Sequence, residues 1–87
     1  MGIESKLQSK ILEYLKSKGC YTIKVIRASK SGAADIICCH EGRFIAIEVK
    51  RPGEKMKPLQ EVNQAMVLKS GGVSVCVDNL DMVKNIV

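Results

Sequence analysis

Residues 32–50, GAADIICCHEGRFIAIEVK, restrict the fold of this chain more than any other stretch. Positions 36–39 and 44–49 are apolar runs of Ile, Val, Phe, Ala and Cys, broken in the second only by Glu48; both are too short for helices and rich in strand formers. Between them, His40-Glu41-Gly42-Arg43 contains a glycine able to take the positive φ of a two-residue hairpin turn. With Glu41 and Gly42 as the turn, His40 pairs with Arg43. The same register, carried to the open end of the hairpin, sets Asp35 opposite Glu48.

That register has a chemical consequence. Opposed residues of an antiparallel pair have Cβ atoms about 4.5–5.5 Å apart, and like charges there repel. Lys50, two residues beyond Glu48, points to the same side. Two acids and a base therefore meet at the end of an otherwise apolar hairpin. Taken singly, Asp35 also suits a turn before a strand, and Glu48 with Lys50 a solvated edge. A cation between the acids removes the repulsion, and a hard divalent ion such as Mg²⁺ takes oxygen ligands while keeping waters of its own. The backbone carbonyl of Val49 offers a further oxygen.

Asp35 followed by Glu48-Val49-Lys50 across a hairpin resembles the PD-(D/E)XK nuclease signature. The lead-in Gly32-Ala33-Ala34-Asp35, with a glutamine on a later helix, resembles the virus-type replication-repair nuclease domain, VRR-NUC, in its stand-alone phage and bacterial form. The resemblance covers essentially residues 1–87, read as one nuclease domain. Ala34 departs from the proline of the superfamily's name, at a position that shapes the backbone and supplies no ligand. The resemblance implies a restriction-endonuclease-like fold, Mg²⁺ or Mn²⁺ as cofactor and no organic cofactor. It also implies that Asp35, Glu48, Lys50 and Gln60 are catalytic, and that Asp35, Glu48, Val49 and a first-helix glutamate, here Glu4, hold metal. Gln60 matches the helix glutamine that lies beside the lysine in this family. Stand-alone relatives resemble Holliday-junction resolvases, which implies a homodimer acting on branched DNA in phage recombination, repair or genome processing.

The rest of the chain is consistent with an α/β fold in the order α-β-β-β-α-β-α, a small mixed sheet flanked by helices. Residues 3–18 read as an amphipathic helix with Ile3, Leu7, Ile11, Tyr14 and Leu15 as its core stripe, closed by Gly19. Glu4, beside that stripe, is either an acid favoured at a helix N-terminus or a group reaching the metal site. Residues 20–27 read as a strand and residues 28–34 as a polar loop. Pro52-Gly53 ends the strand carrying Glu48, and a helix then runs from Pro58 to about Ser70. Leu59, Val62, Met66 and either Val67 or Leu68 form its expected buried side. Gln60 and Gln64 share another face, either solvated or turned to the site. Residues 73–77 give a last strand, parallel to its neighbour because a helix crosses over to it. Asp78 is placed to cap a short terminal helix over residues 79–86.

Composition bounds the partners. Fourteen Lys and Arg against nine Asp and Glu give a net charge of +5, which favours a polyanion. Lys24, Arg27, Ser29, Lys30 and Ser31 precede the acidic patch, and Lys50, Arg51, Lys55 and Lys57 follow it, a distribution suited to a phosphate backbone. Aromatic residues make up 3% of the chain, which argues against a surface that stacks bases. Four cysteines without a CxxC pair read as small buried hydrophobes in a reduced protein, with Cys38 and Cys39 on opposite faces of one strand. No apolar run approaches the length of a membrane span, and the charged N-terminus does not read as a signal peptide, so the expectation is an intracellular protein. That means the cytoplasm, or the host cytoplasm for a phage protein.

The function expected is thus a Mg²⁺-dependent endonuclease for DNA phosphodiester bonds, selective for shape rather than sequence. No stretch suggests a helix-turn-helix or zinc finger. Two alternatives stand beside it: a non-catalytic nucleic-acid-binding module on a nuclease fold, and a duplex endonuclease without selectivity for structure.

Overall fold

The computed structural model describes residues 2–87. Helix α1 (Ile3–Ser17) leads into β1 (Tyr21–Lys24), the hairpin β2 (Ile36–His40) and β3 (Arg43–Val49), helix α2 (Pro58–Lys69), β4 (Val73–Val77) and a short α3 (Leu80–Lys84). The sheet order is β1-β2-β3-β4, antiparallel except for the β3–β4 pair. The hairpin has the register its turn demands. His40 pairs with Arg43, and Glu41 and Gly42 have φ of 51° and 79°, the positive pair of a type I′ turn.

One face of the sheet is the core. Ile36, Cys38, Ile45, Ile47, Val49 and Val77 alternate inward and meet Ile11 and Leu15 of α1 and Val83 of α3, all buried. The first and second helices end with the same bonds, Cys20 N to Leu15 O (3.1 Å) and Gly72 N to Val67 O (3.0 Å), which satisfy the last carbonyls of each helix.

Five local expectations are corrected. Ile3 is 62% exposed, and the stripe of α1 meets the core only from Leu7 onward. The first strand stops at Lys24: Val25 N still bonds Asp35 O (2.8 Å), but β2 begins at Ile36, so Ile26 and Arg27 have no strand beside them. Helix α2 has no buried residue, and Leu59, Val62, Met66 and Leu68 are about half exposed. It lies on the second face of the sheet, chiefly against β4, and among the described residues no other helix or strand makes extensive contact with it. The terminal helix is capped by Asn79, whose Oδ1 accepts from Met82 N (3.1 Å), while Asp78 accepts from Asn79 Nδ2. The cysteines are free, and Cys38 is buried, but Cys39 is exposed on the uncovered half of the second face. No helix among the described residues is long and apolar enough to cross a membrane.

Candidate active site

The hairpin ladder closes at Ile36 and Ile47, so Asp35 and Glu48 stand one step beyond it, where the two strands begin to part. Asp35 is held at both ends of the residue. Its carbonyl accepts from Val25 N of the segment after β1, and its Oδ2 accepts from Val49 N of β3 at 2.9 Å. The side chain thus replaces the missing ladder bond and is fixed beside Glu48. Val49 contributes that amide while its side chain is buried in the core.

Glu48 is 5% exposed and Lys50 6%, rare burial for either residue type. Nζ of Lys50 lies 4.0 Å from Oε1 of Glu48. That lysine does not offset the environment. Burial, then the charge of Asp35 and a hydrogen bond between the two carboxyls, push Glu48 up to about 8. Glu4 adds to the same trend from further off.

Gln60, in the first turn of α2, joins the helix to this pair. Its Oε1 accepts from Lys57 N at 2.8 Å, which caps the helix, and this fixes which end of the amide faces the site. Its Nε2 then donates to Oε1 of Glu48 at 2.9 Å. One amide thus caps the helix and faces the site at once. Gln64, a turn later, donates to Ser74 O and ties α2 to β4 without reaching the acids.

Glu4 is turned elsewhere. Its Oε1 lies 3.8 Å from Nε of Arg51, and a hydrogen bond to the carboxyl of Glu54 raises its pKa. Glu54 escaped the sequence analysis. Pro52-Gly53, with Gly53 at φ 83°, makes a turn closed by Glu54 N to Arg51 O (3.0 Å), and Oε1 of Glu54 returns to Arg51 N (3.1 Å). The Pro-Gly dipeptide was the available signal, because such a turn brings its fourth residue back beside its first. Among the described residues, no three His, Cys, Asp or Glu side chains stand together at metal-holding spacing; the acids form two pairs instead. Lys24, Arg27, Ser29, Lys30, Ser31, Arg51, Lys55 and Lys57 are all exposed.

Chemically, the patch brings together two oxygen-donor groups that repel, a cation beside them and a neutral amide that orients one acid. The donor set is all oxygen and carries a proton that a cation would displace, which fits a hard divalent ion.

The fold is that of a solved VRR_NUC domain, to which the chain is 23% identical, covering 99% of this chain and 95% of that one with a TM-score of 0.86. No family model and no curated protein matches the sequence.

Proposed function

We propose that residues 1–87 form one metal-dependent endonuclease domain that hydrolyses phosphodiester bonds of DNA, as a homodimer on branched structures of the Holliday-junction kind. The observation that carries this reading is the pairing of Asp35 with Glu48 beside a buried Lys50, at the parting of two strands of a nuclease-type fold. Opposed carboxylates are a poor choice for stability and a good one for holding Mg²⁺ or Mn²⁺.

Asp35 and Glu48 would hold the ion, with the Val49 carbonyl as a further oxygen and Glu4 as an outer group. Such an ion supplies charge neutralisation at the phosphate and a nucleophile near neutral pH. Lys50 presents a compact positive charge that orients the attacking water or stabilises the phosphate oxygens. Gln60 keeps Glu48 in one orientation. The exposed basic and hydroxyl side chains on the two loops flanking the acids supply phosphate contacts that read shape rather than sequence. The half-exposed apolar side of α2, with Leu59, Val62 and Met66, supports a second copy as partner. A two-fold dimer puts two sites on two strands, as branched-structure resolution requires.

The test is incubation of the purified protein with a labelled four-way junction and its linear duplex arms, in Mg²⁺, Mn²⁺ or EDTA, beside Lys50→Ala. Paired nicks on the junction that need metal and Lys50 are expected. Cleavage of both substrates removes the selectivity for branches, and binding without cleavage in either metal leaves the binding module.

A further inference from the structure

Helix α2 does not lie flat on the sheet. Between it and the second face runs a cleft of about 420 Å³, within the range of small-molecule sites. Glu48 and Gln60 line it, together with Phe44, and Ile37 and Ala46 of the sheet contribute apolar surface. Met56 and Val67 add more, and Lys30 is the one basic residue along it. The loop before Asp35 forms part of the lining and is tied to α2. Nδ2 of Asn63 donates to Ser31 O (2.9 Å) and Leu59 O (2.8 Å), and Gly32 lies so close that a Cβ there would sit 2.5 Å from Leu59 O. The cleft is therefore built before any ligand arrives.

We propose that this cleft receives an unpaired nucleobase of the DNA strand, next to the phosphate held at Asp35 and Glu48; the proposal rests on the nuclease reading above. Three observations carry it. The cleft is continuous with the acid pair through Glu48, so whatever fills it adjoins the phosphate. Its lining is apolar with a few polar groups, as a flat heteroaromatic ring requires. Asn63 spends both protons of Nδ2 on the backbone, and Gln64 donates to Ser74 O. Among the described residues this leaves Oδ1 of Asn63 and Oε1 of Gln64 as acceptors for the N–H edges of a base.

The aromatic residues, few as they are, support the same assignment. Tyr21 pairs with Cys39 and Cys39 with Phe44, so the two rings share one transverse row of the second face. Tyr21 is 71% exposed and Phe44 45%. A Cβ on Gly72 would stand 3.1 Å from Cδ1 of Phe44 and 2.9 Å from Cγ1 of Val67, so the absence of a side chain there is what admits the ring. Successive rows on one face lie about 7 Å apart. The row of Ile23, Ile37, Ala46 and Ser74 lies between the rings and the acids, which are therefore two row spacings, about 14 Å, apart, and the cleft spans that interval from Phe44 to Glu48. Low aromatic content argued against a stacking surface, but a count of rings carries no information on where they lie. Two of the three are aligned.

Selectivity follows from the cost of extraction. A paired, stacked base must be unstacked first, whereas a base at a junction, bulge or flap is already free.

The experiment measures anisotropy of a labelled duplex, the same duplex with a one-nucleotide bulge, and the bulge made abasic, all in Ca²⁺. Cleavage of the same three is scored separately in Mg²⁺. Tighter binding of the bulge is expected, by about tenfold, the scale of one stacked base. The gain should vanish with the abasic bulge, and also in Phe44→Ala and in Ala46→Leu, which fills the cleft; circular dichroism verifies that both variants fold. Equal binding of the base-bearing and abasic bulges overturns the proposal even if Mg²⁺ supports cleavage. A base-dependent gain with no cleavage in Mg²⁺ overturns the nuclease reading and keeps the cleft. Sedimentation of wild type and Phe44→Ala covers the remaining occupant. A dimer that becomes a monomer on loss of Phe44 assigns the cleft to a second copy and overturns the proposal.

Discussion

Oδ2 of Asp35 accepts the amide of Val49 across the gap where β2 and β3 part, over 2.9 Å. The bond makes one acid both a strand tie and the source of the charge that disfavours ionisation of Glu48. The two roles separate in Asp35→Asn, whose carbonyl oxygen still accepts from Val49 while its amide donates towards Glu48. Without divalent metal at pH 8, this variant should melt a few °C above the wild type, about 1 kcal/mol for a domain of this size. Its cleavage rate should fall on the order of a hundredfold or more, the scale of losing a group that acts on the transition state. A lower Tm would show that Asp35 is mainly a tie.

The stability of the metal-free protein should fall as pH rises from about 5 to 8. Glu48 holds its proton up to about 8 in the fold, whereas the unfolded chain releases it near 4.5. Over that window the native state carries the extra proton, so raising the pH favours unfolding, by at most about 1.4 kcal/mol per pH unit for one site. Urea titrations at several pH values measure the slope. Glu48→Gln should flatten it, and millimolar Mg²⁺ should also do so in the wild type. An unchanged slope in Glu48→Gln would assign the effect to another group.

Gln60 can be divided in the same manner. In Gln60→Glu the new carboxylate still accepts from Lys57 N and suits a helix N-terminus, but it sets a third acid against Glu48. At pH 5 the variant should stay within about 1 kcal/mol of wild type, and at pH 8 it should lose more. Gln60→Leu leaves the Lys57 amide uncapped and Glu48 without its donor, and should cost about 1–3 kcal/mol at both pH values. Chemical denaturation of the pair distinguishes a helix cap from a positioning group.

Native alkylation with iodoacetamide should modify Cys39 first and Cys38 last. Cys39 is exposed, whereas Cys38 is 1% exposed and burial pushes its thiol up to about 11. Intact mass against time, with peptide mapping, gives the order. Equal rates for the two neighbours would mean that β2 opens on the time scale of the reaction.

The parts of the fold legible in the sequence were those governed by local rules. Glu41-Gly42 set the turn, the turn set the register, and the register brought Asp35 to Glu48. The parallel β3–β4 pair followed from the crossover helix. What stayed hidden depended on how far each layer extends. The spacing of Leu59, Val62 and Met66 marks an apolar side of α2, but periodicity does not tell whether anything exists to cover it. The described chain has α1 and α3 for one face of the sheet and only α2 for the other, so Tyr21 and Cys39 are left exposed and Phe44 is half-exposed at the edge of the cleft. Glu54 was missed for a different reason: its position depends on a turn between elements rather than on a periodic pattern.

One amide group links the start of α2 to the acid pair, accepting from the backbone of Lys57 and donating to Glu48. The backbone of an exposed lysine is thereby wired, through two hydrogen bonds, to a buried carboxyl. Any displacement of Glu48 tugs on the first turn of the helix, and any displacement of that turn tugs back on Glu48. The surface loop and the buried acid are held at opposite ends of a single side chain.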